Sequence, residues 1–183
     1  MRTLLILLMA LVPTALWAEE KPLETKACYQ AFEKYNPKFV VDFANKAKKH
    51  ILEKGEAGFK DFNQVGPLTF ESYPYSPPIV IIRCDQMRVE TFFFEKMRPQ
   101  LQEPGSLKKF VDVNGQHTFV KLCSKLRGSV QAAWEMQKHY WVGCNGPVEM
   151  GMLLMKIPGT PYAVESTLPT LKYTIKDFEA ALR

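Results

Sequence analysis

The side chains with the greatest potential for chemistry in this sequence are four cysteines and three histidines. They are Cys28, Cys84, Cys123, Cys144, His50, His117 and His139. There is no Cys-x-x-Cys pair, and the histidines are too far apart along the chain for the spacings typical of zinc ligands. The lack of Cys-x-x-Cys-His also excludes covalent attachment of a c-type haem. We therefore expect no metal site and no cofactor.

The same cysteines are disulfide candidates if the chain is exported. Up to two bonds can form in an oxidising compartment, and the sequence leaves open which of three pairings is used. Buried free thiols are the alternative, and a redox or thiol function is a weaker hypothesis. A Cys–His nucleophile pair would have to be assembled by the fold. Because there is no Gly-x-Ser-x-Gly elbow, Walker loop or zincin motif, we predict that the protein is not an enzyme.

Export is indicated by the start of the chain. Arg2 precedes an apolar run from Leu4 to Trp17, which ends at Ala18 before the charged residues 19–21. This pattern is typical of a secretory signal peptide at 1–18, cleaved near Ala18. A retained membrane anchor is the alternative, although the run is short for a membrane span. The predicted location is the periplasm or the exterior of the cell.

The composition favours one folded domain over residues 19–183. The full chain has 183 residues, 46% of them hydrophobic, which is enough for one core. Its formal net charge of +5 comes from 24 Lys and Arg against 19 Asp and Glu. Because the basic residues are scattered rather than clustered, we expect no nucleic-acid partner.

The elements that must position these side chains follow from the hydrophobic pattern. Residues 24–35 and 37–52 have helical spacing, and Pro37 is a favoured first residue of a helix. Five segments predict strands, at 79–83, 89–94, 129–137, 149–157 and 162–166. Short helices are predicted at 116–126 and 174–182. The expected fold class is α+β, with a long N-terminal helix packed on a five-stranded, mostly antiparallel sheet.

Five short motifs occur along the chain. They are Gly-Glu-Ala-Gly-Phe-Lys-Asp-Phe-Asn at 55–63, Pro-Gln-Leu at 99–101 with Gly105, Asp-Val-Asn-Gly at 112–115 with Phe119, Gly-Ser-Val at 128–130 with Trp134, and Lys-Ile-Pro-Gly-Thr at 156–160. In this order they resemble the single Cache domain, a PAS-like extracytoplasmic sensor fold, over about residues 39–166. The resemblance implies a small-molecule ligand, often a short carboxylate, in a pocket against the sheet. It also implies signalling through a membrane receptor or a sensor kinase.

Three positions depart from the family pattern. Where the family often has Tyr, Lys and Tyr, this chain has Ala132, Met150 and Leu153. An ammonium and two hydroxyls that help to hold a carboxylate are therefore missing. The resemblance thus implies a pocket that is more apolar than usual, for an organic acid or a less polar metabolite. Trp134 is expected in the core, with one edge in this pocket.

Four further ligand candidates lie near the predicted hairpin. Arg83 ends an apolar strand and could pair with an anion, although a structural ion pair or a solvated strand end is favoured. Glu95 and Arg98 lie where family pockets often place polar contacts, and surface exposure of Arg98 is the alternative. Phe94 belongs to a run of three phenylalanines at 92–94, which a strand would point to both faces of the sheet.

Two functions remain open on the sequence alone. Because we see no second membrane segment and no signalling module, the first is a stand-alone exported Cache domain that binds a small molecule. The second is a protein-interaction module that keeps the fold but has lost the pocket. Its contacts would come from aromatic residues at 139–141, predicted to lie in or near a loop, and one use of such a patch is a homodimer.

Overall fold

The computed structural model describes residues 22–141 and 144–183. In chain order the elements are β1 (Leu23–Glu24), α1 (Thr25–Phe32), α2 (Pro37–Lys54), a 3-10 helix (Gly55–Phe62), β2 (Val80–Arg83), β3 (Arg88–Val89), α3 (Arg98–Gln102), a second 3-10 helix (Ser106–Lys109), α4 (Thr118–Lys125), β4 (Ala132–Tyr140), β5 (Cys144–Asn145), β6 (Pro147–Lys156), β7 (Tyr162–Pro169) and α5 (Ile175–Ala180). The predicted signal peptide lies outside the described residues. Among the residues described, none of the helices is long and apolar enough to cross a membrane.

Five strands form one antiparallel sheet in the order β3-β2-β7-β6-β4. The α+β fold with a five-stranded antiparallel sheet is therefore confirmed. A separate pair of two-residue strands, β1 and β5, runs parallel and was not predicted. In the main sheet β7 lies at the centre and is buried along its whole length, because β2 and β6 flank it and both faces are covered.

Helix α2 is the long helix that the sequence predicts, and its local signals explain its bounds. Asn36 caps it, since the Asn36 Oδ1 accepts a hydrogen bond from the Phe39 amide at 2.9 Å, and Pro37 follows at the first position. It ends at Gly55, which has a φ of +59°. Its buried face packs on β6 and β7, through the residues Val40, Val41, Phe43, Ala44, Ala47 and Ile51.

The sheet has a core on each of its faces. We call the core under α2 the helix side; it includes Trp134, Leu153 and Val164. We call the other core the cover side, because the segment from 91 to 126 covers it. There, Val80, Leu154 and Ala163 of the sheet pack with Phe119 and Leu122 of α4 and with Leu107.

Two disulfides tie these layers together. Cys28 of α1 bonds Cys144 of β5, with 5.8 Å between their Cα atoms. Cys84, directly after β2, bonds Cys123 of α4, with 5.5 Å between their Cα atoms. The structure therefore selects one of the three pairings that the sequence left open. The second bond fastens the cover to the sheet.

The second strand of the hairpin is much shorter than predicted. The amides of Glu90 and Thr91 both donate to the Ile81 carbonyl, at 2.8 and 3.2 Å, and the Thr91 hydroxyl accepts from the Ile81 amide at 2.9 Å. The Thr91 hydroxyl thus takes the place of a backbone carbonyl as the acceptor for the Ile81 amide. The one-to-one pairing of residues between the two strands is therefore lost. The prediction that the phenylalanines at 92–94 alternate between the faces of a strand was wrong, since they follow β3 and cluster with one another.

At the far end of the sheet, β4 extends further than predicted. His139 and Tyr140 belong to this strand rather than to a loop. His139 stacks on Phe110 at 4.5 Å between ring centroids, and Trp141 lies edge-on to Phe32 at 5.3 Å. Only Tyr140 of the three is exposed, at 57%. The aromatic residues at 139–141 are thus mostly packed, because the pairing of β4 with β6 holds this part of the chain against Phe110 and Phe32.

Candidate functional site

The cover side of the sheet contains a row of buried polar side chains. Glu165 and Thr167 of β7 and Gln137 of β4 are 5%, 3% and 4% exposed. Met152 of β6 lies between the two strands, opposite Thr167 on one side and Glu135 on the other. Cores seldom hold a carboxyl group, and Thr167 beside it and Gln137 two strands away on the same face make this row the strongest candidate for a site. We call Gln137, Met152, Glu165 and Thr167 the polar row.

The hydrogen bonds within the polar row leave acceptor atoms free. The Thr167 hydroxyl donates to the Glu165 Oε1, and the Gln137 Nε2 donates weakly to the Met152 sulfur at 3.9 Å. The Gln137 Oε1 is buried and has no hydrogen-bond partner among the described residues. Since an unpaired buried carbonyl costs the free energy of its lost hydration, this atom points to a missing partner.

Burial strongly perturbs Glu165. Loss of hydration raises the pKa of its carboxyl group from 4.5 to about 7, and the hydrogen bond from Thr167 opposes this only in part. No ion pair among the described residues involves Glu165. The nearby cations have other partners: Lys125 pairs with Glu135 at 2.8 Å, and Lys138 with Glu149 at 3.8 Å.

The cover over this face is aromatic and aliphatic. Phe92, Phe93, Leu101 and Phe110 pack, partly buried, against the cover-side core. The Phe92 and Phe93 rings stack with 4.7 Å between their centroids. The cover therefore places apolar and aromatic side chains on the same face of the sheet as the polar row.

Arg98 holds part of the cover in place. Its Nε donates to the Phe92 carbonyl at 2.8 Å, and its Nη2 donates to the Asn63 carbonyl at 2.6 Å. Asn63 also accepts from the Phe92 amide at 3.1 Å. Among the described residues, Arg98 forms no ion pair with a carboxylate. This arrangement joins the start of the cover to the end of the first 3-10 helix.

The other residues predicted near the hairpin contact other parts of the protein. Arg83 pairs with Asp85 at 3.1 Å and lies 5.6 Å from the Tyr162 ring, which is the structural role that the sequence favoured. Glu95 is exposed, and Phe94 is partly buried within the phenylalanine cluster. Arg83 and Arg98 hold separate partners, and the Arg98 amide donates to the Phe94 carbonyl at 3.1 Å. The role of these four residues as ligand contacts stays a prediction.

The predicted residues of the sheet lie mainly on the helix side. Trp134 and Leu153 pair across β4 and β6, are 1% and 0% exposed, and belong to the helix-side core. The Trp134 ring contacts Phe178 of α5, with 4.4 Å between centroids. Ala132 is partly buried at the start of β4, and Met150 pairs with Gln137. Their role as ligand contacts stays a prediction.

A surface cleft of about 810 Å³ lies beside the disulfide between Cys84 and Cys123. It runs between α4 and the turn that joins β6 to β7. Four basic side chains border it, and one acidic one: Lys108, His117, Arg127, Lys156 and Asp85. Lys156 already donates to the Gly128 carbonyl at 2.7 Å. The cleft has the charge for an anion but lacks buried polar groups that would define its geometry.

Sequence reasoning missed Gln137, Glu165 and Thr167. One signal was available for Glu165, since it is the one charged residue in the strand segment Tyr-Ala-Val-Glu-Ser-Thr-Leu at 162–168. Burial of that strand on both faces follows only from its central place in the sheet. Among the residues described, there is no group of three or more His, Cys, Asp and Glu that could hold a metal ion.

No protein-family model and no curated protein matches the sequence. The fold does match solved structures. A periplasmic sensor domain of a chemotaxis protein shares 16% identity and a TM-score of 0.50, over 73% of this chain and 92% of that chain. A Cache chemosensory domain, described for its recognition of carboxylic acids, shares 11% identity and a TM-score of 0.50, over 79% and 97%. A methyl-accepting chemotaxis protein from Vibrio parahaemolyticus RIMD 2210633 shares 10% identity and a TM-score of 0.52, over 79% and 93%.

These likenesses define the class of fold first: a PAS-like α+β domain of the kind found in extracytoplasmic sensors. Within that class, the chain has the fold of a Cache domain. The resemblance read from the five sequence motifs is thereby confirmed at the level of the fold. Two of these structures are described as a periplasmic sensor domain and a Cache chemosensory domain.

Proposed function

We propose that this chain is an exported Cache-fold domain that binds a small molecule on the cover side of its sheet and acts as a sensor or accessory signalling module. The observation that carries this proposal is the polar row, in which a buried carboxyl and an unpaired amide oxygen lie on the same face of the sheet. Unless a ligand supplies partners, these groups only destabilise the fold. The Cache fold supports the sensor role, and the apolar run before Ala18 supports a periplasmic or secreted location.

The proposed ligand is enclosed by the cover. Because Glu165 is 5% exposed, a molecule can reach it only when the cover segment moves. Binding would thus be coupled to a change at the surface formed by residues 91–126, which a membrane receptor or a sensor kinase could detect. Such a coupling is what a sensor requires, and the disulfide between Cys84 and Cys123 limits how far α4 can move.

Native mass spectrometry tests the presence of a ligand. The mature protein, purified from its own periplasm, is compared before and after denaturation. We expect a defined mass excess that is lost on denaturation. If there is no excess, and no thermal shift occurs with a panel of carboxylates, amines and apolar metabolites, the proposal is wrong.

Two substitutions distinguish the two faces of the sheet. Thr167→Val removes a hydroxyl from the polar row with little change in volume, whereas Ala132→Tyr fills the position predicted from the sequence. We expect Thr167→Val to weaken ligand retention by about tenfold, as for loss of one buried hydrogen bond, and Ala132→Tyr to leave it unchanged. The reverse result would place the ligand on the helix side. Ligand retention is measured as the mass excess of the native protein over the denatured protein.

A protein-interaction module without a pocket is the second candidate function. The observation that favours it is the complete burial of Trp134 and Leu153 in the helix-side core. Such a module would leave the mature protein without a mass excess, and its partner would contact the surface near Tyr140, which is exposed. A homodimer at this edge of β4 would be lost on Tyr140→Glu, as measured by analytical ultracentrifugation.

A further inference from the structure

Once Glu165 is ionised, the free hydrogen-bonding capacity of the polar row is that of an acceptor. The Thr167 hydroxyl has used its proton on Glu165, and the Gln137 amide group faces the Met152 sulfur, which can only accept. The atoms that remain are the Gln137 Oε1, the Thr167 lone pairs and, once Glu165 is ionised, its carboxylate. A partner for these atoms must donate hydrogen bonds.

The polar row also lacks a positive charge. Among the described residues, no Lys, Arg or His donates to Glu165, since Lys125 and Lys138 are paired with Glu135 and Glu149. A carboxylate in this position is stable only with a counter-ion. The ammonium at the Lys position of the family pattern, which would suit an acid, is replaced by Met150.

We propose that the ligand of this site is a protonated amine, whose nitrogen pairs with Glu165 and donates to the Thr167 hydroxyl beside it. This inference rests on the proposed function, since it names the ligand class of the same site. The apolar part of the amine would lie against Met152 and Leu154. The Phe92 and Phe93 rings pack on the same core.

This ligand class is opposite in charge to the one in the described relative. The Cache chemosensory domain among the matched structures was described for carboxylic acid recognition. A carboxylate placed beside Glu165 would be repelled once Glu165 is ionised, because like charges repel. The two domains would therefore share a fold and differ in the sign of the ligand charge.

Matched small molecules test the proposal directly. n-Butylamine, n-butyrate and n-butanol have the same chain length and differ only in the head group, as do phenethylamine, phenylacetate and 2-phenylethanol. Each is titrated into the mature, ligand-stripped protein and followed by calorimetry and thermal shift. We expect binding of an amine and no response to the matched acid or alcohol.

Two variants localise the effect. Glu165→Gln keeps the shape of the side chain but removes its charge, and we expect it to weaken amine binding by at least about tenfold. Glu149→Gln removes a partly exposed carboxylate from the neighbouring strand β6 and serves as the control, with unchanged affinity expected. Equal binding of the amine by wild type and Glu165→Gln would overturn the proposal.

The remaining outcomes separate this inference from the proposed function. Binding of an acid or an alcohol but not of the amine would overturn the amine assignment and leave ligand binding intact. A lack of response to every probe, with no mass excess in the protein from its own periplasm, would overturn both. A co-purified molecule that contains a basic nitrogen would support both.

Discussion

Glu165 is the residue on which the chemistry of this domain depends most. Its pKa is raised to about 7 because burial penalises the charged form more than the Thr167 hydroxyl stabilises it. In the unfolded chain the same carboxyl group titrates near its ordinary value of 4.5. Between these two pH values the folded protein binds a proton that the unfolded chain has released.

The pH dependence of stability follows from this difference. The contribution of Glu165 is fully favourable below pH 4.5 and is lost as the pH rises through about 7. The total loss is roughly 3 kcal/mol in the free energy of unfolding, since each unit of pKa difference corresponds to about 1.4 kcal/mol. We expect urea unfolding of the wild type to show this decline and Glu165→Gln to lack it.

The comparison of wild type with Glu165→Gln isolates the contribution of Glu165, because every other titratable group is the same in both proteins. The ion pair of Glu135 with Lys125 and the stacking of His139 on Phe110 are not altered by the substitution. Identical pH profiles for the two proteins would show that Glu165 does not titrate in this range. A saturating amine should reverse the sign of the wild-type profile, because it favours the ionised form.

At the scale of elements, local signals explain the long helix but not the hairpin. The cap at Asn36 and the helical spacing of apolar residues operate within a few residues, so the sequence predicts α2 well. The early end of β3 depends on Thr91, whose hydroxyl bonds the Ile81 amide on the other strand. The strand propensity of residues 89–94 cannot reveal that contact, because these residues suit both a longer strand and the observed early end of β3.

The docking of α5 on the sheet makes an element-scale prediction. Gly151 of β6 faces Phe178 of α5, and a Cβ at this position would overlap the Phe178 ring. We expect Gly151→Ala to destabilise the protein by about 1–3 kcal/mol through overpacking. Gly66→Ala is the control, since a Cβ there meets no atom within 4 Å. Chemical denaturation gives both values.

Phe178→Leu tests whether the destabilisation by Gly151→Ala comes from the contact with the Phe178 ring. Phe178→Leu shortens the side chain that a Cβ at 151 would meet. The double variant should be less destabilised than the sum of the two single variants. Additive effects would mean that α5 does not pack on β6 through this pair.

At the scale of the whole molecule, the two disulfides differ in what they connect. The bond between Cys28 and Cys144 joins residues 116 apart in sequence, and the bond between Cys84 and Cys123 joins residues 39 apart. Loop entropy predicts losses of about 5 and about 4 kcal/mol on replacing each pair by serine. The order of the two losses is the expected result in guanidinium unfolding, and the intact mass counts the bonds.

Ligand affinity should depend on the two disulfides in the opposite order to stability. Because Cys84 and Cys123 fasten the cover to the sheet, serines at these positions should alter the affinity for the ligand of the polar row. Serines at Cys28 and Cys144, which join α1 to β5, should leave that affinity nearly unchanged. Equal effects on affinity would mean that the cover does not enclose the site.

The sequence by itself determined the features that depend on neighbours along the chain. These are the helical segment that begins at Pro37, and the order of motifs that resembles a Cache domain. The α+β class and the five antiparallel strands also follow, since spacing records which segments are helix and which are strand.

Only the tertiary structure decided the disulfide pairing and the place of the polar row. Cys28 meets Cys144, and Gln137 lies on the same sheet face as Glu165, through strand pairings between segments far apart in sequence. Alternation along a strand shows which residues share a face of the sheet. It does not show which face is the helix side and which is the cover side. That choice follows from packing α2 on one side, which puts Trp134 in the helix-side core and Glu165 under the cover.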